Sequence, residues 1–545
     1  MEKNQLMALA LCMVVLLAYP WLLKRFYPPA EKTPAVETTL AAGADESVPE
    51  TKEPVVSASV PARPAIERPA APEVFHFENE LYDAEMTRMG GSLMRLAYRG
   101  DAGTRERTQT VFLNASPEMP GLLAVGFAGD AGDLSRAAFS MTRQTEDSVE
   151  FAHERAGEFR VVKRFFFSRK EPIINLEIEI QNLASYERTF TPEILLAMHD
   201  DPTRHAAPHE FQAVAWTDKA TTADAKKIHK KGFSISEPIT WAGIVKKYFC
   251  ILIKPDDRAM AFNAREDEAT LFGELRLEPV TVSAGASRML QNFVYAGPQR
   301  YEALTAYQVG FVNILSRGFF GGFKILFLRA LKFSHRHTGN FGWDILLLTL
   351  LIKLLFAPLT HMSYKSMAKM KAIQPKLQVL QERHKDDPSK LNREMMELYK
   401  KHRVNPMGGC LPMLLQIPVF IAFYQVLNEA VELRGAPFIG WITDLSEPDH
   451  LFMLKASFPL IGNSFNLLPL LMTVSMVVQQ RMTPQSGVTP EQQKMFAFMP
   501  LIFCFVFYNM PSGLVLYWLL NNVLSIVQQG LVKPAVSAMH HDESA

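Results

Sequence analysis

Lys353 stands in a largely apolar run, Gly342 to Ala357, that with its flanks is long enough to cross a bilayer, and no other candidate span offers it a carboxylate. A cation at membrane depth costs roughly 2.5–3.5 kcal/mol on insertion scales, so it has to face water or a partner group. With no acid on offer, water is the expected neighbour, and the available chemistry is electrostatic attraction of acidic segments into a wet cavity. Thr349 lies one helical turn before Lys353 on the same face. Gln416, between Leu415 and Ile417, is a buried amide that wants hydrogen-bond partners. Tyr517 and Asn521 are one turn apart on the last apolar segment, with Trp518 and Asn522 beside them. The candidate site residues are therefore Lys353, Thr349, Gln416, Tyr517, Trp518 and Asn521. Each also has a plainer use. Lys353 is seven residues before Thr360, about 10 Å of helix rise that a lysine stem could largely snorkel. The amides could be glue between helices, and the Tyr-Trp pair close to the 511–513 turn could mark the membrane interface.

The elements that must carry these residues divide the chain in two. At 545 residues it exceeds one ordinary soluble domain, and a net charge of +1 gives no footprint for wholesale nucleic-acid binding. Residues 1–340 have a soluble composition, whereas 341–533 hold most of the long apolar runs. Cys12, Cys250, Cys410 and Cys504 are scattered and imply no disulfide framework. Leu6 to Leu23 is an apolar run of about minimum spanning length without a small-x-small cleavage site after it, so 1–27 is expected to be an uncleaved anchor. Pro, Ala, Glu, Thr and Val dominate 28–72, a composition that makes a tether rather than a core. Between 73 and 308, short alternating segments such as Val74–Glu78, Val161–Phe167 and Ile173–Ile180 are punctuated by turns at Gly90-Gly91 and Lys170-Glu-Pro172. Period-two alternation between turn signals predicts a large antiparallel β-sandwich.

Residues 309–338 form an apolar segment interrupted by Arg317, Lys324, Arg329 and Lys332. On a helical wheel these cations lie on one side and Phe319, Phe320, Phe323 and Phe327 roughly opposite, as suits a helix in the headgroup plane; a core helix with a solvated basic face is the alternative. Five further spans are expected at about 341–360, 409–428, 464–480, 495–510 and 513–529. Eleven Lys/Arg between His361 and Asn405, against Arg434 alone in 431–450, place 361–405 in the cytoplasm. That puts the β-region outside and both termini inside. Within 361–405, Met367, Met370, Gln374, Leu377 and Leu380 keep a three-four spacing, Asp386-Asp387-Pro388 breaks it, and Leu391, Met395 and Leu398 resume it. This predicts a basic helical hairpin, either a solvated spacer or a contact for anionic lipids, ribosomal RNA or partner proteins.

Nucleotide-driven and enzymatic chemistry find little support. There is no Gly-x-x-x-x-Gly-Lys-Ser/Thr loop, and Asp200, His205 and His209 have no catalytic or metal spacing, so neither a cofactor nor a metal is expected and the chain is not expected to be an enzyme. A secondary transporter could also hold a midplane cation, but no paired interrupted helices or matching halves are visible.

Ser366-Met-Ala-Lys-Met370 with Gln374-Pro-Lys376, Glu394-Met-Met-x-Leu-Tyr-Lys400, Val404-Asn-Pro-x-Gly-Gly-Cys410, Gln416-x-Pro418, Val431-Glu-Leu-Arg-x-Ala-Pro-Phe438, Trp441-Ile-x-Asp-Leu-Ser446 and Pro511-Ser-Gly-Leu-Val-Leu-Tyr517, in this order, resemble the YidC family of bacterial membrane protein insertases. Anchor, tether and outer β-region resemble its Gram-negative form. The resemblance implies a polytopic α-helical membrane protein of the inner membrane whose residues 28–340 are periplasmic, with a supersandwich over 73–308 and a five-span core over 339–533. It also implies a hydrophilic groove open to the cytoplasm that receives nascent integral membrane proteins, alone or beside the Sec translocon. Ribosome or signal recognition machinery is expected at the 361–405 hairpin, with phospholipids around the spans. The family's groove cation is usually arginine; the matching position here is Lys353, which keeps the charge and lacks the planar fork. The tail 534–545 lacks the long basic extension some relatives use near ribosomes.

Overall fold

A computed structural model describes residues 73–100, 110–114, 120–129, 132–199, 211–217, 219–267, 270–315, 321–384, 387–402, 411–458, 462–482 and 490–542. The expected anchor 1–27 and tether 28–72 lie outside the described residues, as do Asp200, His205, His209, Arg317, Phe319, Phe320 and residues 403–410.

Alternation builds the β-region. In strand Ile173–Asn182, Ile174, Leu176, Ile178 and Ile180 are fully buried while Glu177, Glu179 and Gln181 fall on the other face. It pairs antiparallel with Phe159–Phe167, Phe167 opposite Ile174, and on its other edge with Ser287–Pro298. These belong to a nine-stranded sheet ordered Ala220–Asp224, Gln212–Trp216, Trp241–Lys246, Phe249–Pro255, Ser287–Pro298, Ile173–Asn182, Phe159–Phe167, Ser148–Arg155, Ser140–Gln144. A six-stranded sheet centred on Arg188–His199 and Thr270–Leu277 and a four-stranded sheet, Val74–Glu78 to Thr110–Asn114, complete the region. All three contribute to one core, with Tyr82, Phe112, Phe165, Phe190 and Phe262 inside. The antiparallel sandwich read over 73–308 is present.

Lys163 is a polar exception in that core. It is fully buried, and its ammonium donates to the carbonyls of Gly90 at 2.9 Å, Gly91 at 2.7 Å and Leu123 at 2.7 Å, with the Phe139 and Phe165 rings at 5.6 and 5.2 Å. All three carbonyl residues have positive φ, 65°, 48° and 60°. Glycine is required at 90, where a Cβ would come within 2.5 Å of the Ser135 carbonyl. Leu123 carries the left-handed cost of roughly 1–2 kcal/mol. Burial draws the Lys163 amine well below its usual range. Three acceptors for three N–H donors pull the other way.

The helices are α1 (Ala225–Lys231), α2 (Tyr301–Ala306), α3 (Gly321–Thr338), α4 (Phe341–Ala372), α5 (Gln374–Arg383), α6 (Pro388–Lys401), α7 (Leu411–Glu429), α8 (Leu467–Met482), α9 (Pro490–Phe507) and α10 (Ser512–Asp542). Helix α3 differs from the wheel-based expectation. Lys324 is buried against Glu429, and Lys332 pairs with Glu302 and, at 2.8 Å, with Glu432. Two of its cations therefore point into protein, because α3 packs on α4 and α7 and meets carboxylates at and just beyond the end of α7. Its outward face carries Leu326, Arg329, Phe333 and Arg336. Gly339, at φ 63°, ends α3, and the Asn340 side chain accepts from the Gly342 N–H at 2.9 Å to start α4. Asp344, fully buried in the first turn of α4, accepts from Ser334, from Thr338 at 2.6 Å and from His335 at 2.9 Å.

Helix α4 runs beyond the expected end at 360 to Ala372, with Pro358 inside it. Asp387 caps α6 by accepting from the Lys390 N–H at 3.0 Å, and Pro388 occupies the first turn. Met370, Leu377, Met395 and Leu398 form the predicted seam, joined by Ile373 and Tyr399. Helices α4, α7, α8 and α10 share a core that includes Ile345, Phe423, Met472 and Val515. By length and composition, two described helices can cross a membrane, Phe341–Met367 and Ser512–Leu531, with Ala497–Phe507 a shorter apolar stretch.

Candidate functional site

Helix α4 places Lys353 against α10, the two helices packing side by side. Its ammonium donates to the Ser525 hydroxyl at 2.7 Å, and that hydroxyl donates to the Asn521 carbonyl at 2.8 Å. Among the described residues no carboxylate pairs with Lys353. Pro358 has no N–H, so the Leu354 carbonyl beside the lysine loses its helical donor. About two to three turns further along α4, Gln528 donates to the Thr360 hydroxyl at 2.6 Å, and Tyr364 faces the side chains of Gln529 and Ser525. The result is a polar seam along the α4–α10 contact, running from Lys353 toward the basic helical hairpin. Its flanks are greasy: Leu351, Leu354 and Leu355 on α4 and Val523 and Val527 on α10 are exposed.

The remaining candidates form other groups. Gln416 on α7 donates to the Tyr517 hydroxyl, and the Tyr517 ring stacks on Phe423 at 4.5 Å. Tyr517 is 1% exposed. Trp518 sits in an aromatic cluster with Phe420, Phe503 and Phe507, ring centroids 4.9 to 5.7 Å away. Thr349 shares the helix face of Lys353 but is buried, and its hydroxyl donates to the Ile345 carbonyl at 2.6 Å. Asn521 reaches the Lys353 group through its backbone carbonyl. Sequence reasoning therefore found the cation and missed most of its surroundings: Ser525, Gln528, Thr360 and Tyr364. A signal existed in α10, where Asn521, Ser525 and Gln528 recur at helical spacing in an apolar run. Asn522, buried on another side of α10, donates to Ser475 of α8 at 2.9 Å and is glue between helices.

Such an arrangement can attract and solvate rather than react. An ammonium has three N–H donors, and Ser525 engages one of them. Among the described residues the other two meet no acceptor.

Residues 333–538 match the family model described as the 60Kd inner membrane protein, and residues 75–327 match that of the YidC periplasmic domain. The chain is 34% identical to the membrane protein insertase YidC of Pelobacter propionicus, over 98% of this chain and 100% of the relative. It is also 34% identical to the membrane protein insertase YidC of Geobacter sulfurreducens, over 98% and 99% of the two chains. A solved structure of an active YidC insertase with its first transmembrane domain resolved aligns with 85% of this chain and 93% of its own, at 16% identity and a TM-score of 0.37.

Proposed function

The chain belongs to the YidC family of membrane protein insertases, and from that premise we propose that the seam between α4 and α10 is the groove in which the polar part of an incoming membrane protein is received. The transporter reading of an intramembrane cation is set aside, because the relatives are insertases. One observation carries the proposal: among the described residues Lys353 is held by a neutral hydroxyl alone, which takes one of its three donors. A short acidic tail is drawn to that charge, while the client's apolar segment of roughly 20 residues moves along the exposed faces of α4, α7 and α10 into lipid. Burial of that segment supplies the drive, aided by the membrane potential at about 2.3 kcal/mol per charge per 100 mV.

The inner membrane is the setting that this family implies. In our reading, five helices, α4 and α7 to α10, span it in addition to an N-terminal anchor, both termini and the 361–405 hairpin are cytoplasmic, and residues 28–340 are periplasmic. Helix α3, on this reading, rests in the headgroup layer on Leu326 and Phe333, with Arg336 toward phosphates. The partners we assign are nascent integral membrane proteins, Sec translocon components, phospholipids, and ribosome or signal recognition machinery at the basic hairpin. The test is Lys353→Ala assayed in cells with a short single-span client bearing an acidic tail. Reduced insertion at normal expression is expected. Unimpaired insertion removes Lys353 from the mechanism.

A further inference from the structure

Strands Phe452–Phe458 and Gly462–Phe465 form an isolated two-stranded ribbon between the 431–450 loop and α8. A lone hairpin is marginal in water, yet this one exposes Leu451, Phe452 and Met453 at 39%, 50% and 62%. Neighbouring residues of a strand point to opposite faces, so Phe452 and Met453 put a large apolar side chain on each side of the ribbon. Phe452 stacks on its cross-strand partner Phe465 at 4.8 Å. Lys455 is the one charged residue from Leu451 to Phe465.

The root of the ribbon is firmly built. Asp449 accepts from the Leu467 and Leu468 N–H groups at 2.8 Å each, capping α8, and from the Trp441 indole at 2.9 Å. Asn466 donates from its side chain to the Tyr508 carbonyl at 2.7 Å, and the Tyr508 hydroxyl donates to the Ser464 carbonyl at 3.0 Å. The ribbon thus leaves the bundle where α8 begins and α9 ends. That is also the end at which Val431 enters the β-region core and Arg434 lies 5.6 Å from the Phe249 ring. Trp441 and Tyr508 at the root are the amphipathic ring types that collect at membrane–water boundaries. Along α8 the exposed apolar surface continues through Leu471, Val474 and Val478.

We propose that this ribbon is immersed in the lipid leaflet on the β-region side, with Phe452 and Met453 among the acyl chains just below the headgroups. A flat protein partner covers one face of a ribbon; a fluid covers both, and each face here exposes a large apolar side chain, Phe452 on one and Met453 on the other. The inference rests on the reading of α8 to α10 as membrane-spanning.

The experiment uses the full-length chain, freed of its native cysteines and reconstituted in phosphatidylcholine–phosphatidylglycerol vesicles. A polarity-sensitive fluorophore is placed on Met453→Cys, Phe452→Cys or, as a wall control, Val527→Cys on α10. Immersion predicts blue-shifted emission at both 452 and 453, lost with a phospholipid nitroxide placed near the headgroup and insensitive to aqueous iodide. Iodide quenching at 453 with lipid quenching intact at 527 overturns the ribbon proposal alone. Loss of lipid quenching at 527 overturns the membrane reading beneath it. Protection at 453 from both quenchers, or lipid contact at only one of 452 and 453, means a protein covers the ribbon and also overturns the proposal.

Discussion

Lys353 and Ser525, 172 positions apart in the chain, meet through one 2.7 Å hydrogen bond from ammonium to hydroxyl. The charge is therefore steadied without being neutralised. A carboxylate in place of that hydroxyl would exchange about 4 kcal/mol with the cation at 4 Å and an effective dielectric of 20, enough to compete with any acidic client. Ser525→Asp is accordingly expected to lower insertion of an acidic-tailed client about tenfold, or ~1.4 kcal/mol. Ser525→Ala, where water can replace the hydroxyl, is expected to stay near wild type. Protease protection of the client's translocated tail distinguishes the two, and equal activity of the Asp and wild-type proteins would contradict the role given to the free charge.

The buried Asp344 carboxylate gathers three donors at the joint between α3 and α4. Asp344→Ala strands Ser334, His335 and Thr338, and hydrogen bonds to a charged group are worth about 1.5–3 kcal/mol each before relaxation. The expected result is faster amide exchange across 334–344 and earlier proteolysis at the joint, with Asp344→Asn milder because it keeps an acceptor. Unchanged exchange in the Ala variant would show that the joint is held by packing alone, including the stack of His335 on Phe341 at 3.7 Å.

Lys163→Met keeps the volume of the stem and removes all three donors from the Gly90, Gly91 and Leu123 carbonyls. An unmet buried polar group costs about 1–3 kcal/mol. Destabilisation of the β-region by about 3 kcal/mol or more is expected in chemical denaturation followed by near-ultraviolet circular dichroism. A stability equal to wild type would mean that the three left-handed residues hold their turn unaided.

Glu302 supplies a pH dependence. Burial pushes its carboxyl up, but the Lys332 hydrogen bond, a backbone hydrogen bond and the nearby cations outweigh this, leaving it below the ordinary value of 4.5. A carboxylate held below its unfolded value contributes stability that is complete above that value and fades as pH falls through the folded one. The difference in Tm between wild type and Glu302→Gln is therefore expected to be full at neutral pH and to close below about pH 4.5. A difference that persists in acid would place the effect of the substitution elsewhere than in the charge.

Local patterns make much of this fold legible in the sequence. Ile174 to Ile180 alternate because one sheet face is buried, and Met370, Leu377, Met395 and Leu398 reveal the hairpin seam because a narrow interface imposes its own period. Lys353 was conspicuous because a charge in an apolar run has few explanations. What remained hidden is tertiary. Glu429 and Glu432 turn two cations of α3 inward, and nothing near Lys324 or Lys332 in sequence announces them. The ribbon at 452–465 falls between the 431–450 loop and the span expected at 464–480, where the sequence announces no strand, since short apolar runs read alike as strand or helix.

Helix α4 is a single rod of 32 residues, about 48 Å long, joining the apolar stretch around Lys353 to the first arm of the hairpin. Because no loop intervenes between Lys353 and Ala372, whatever tugs on the hairpin is felt at the ammonium unless the rod flexes at Pro358.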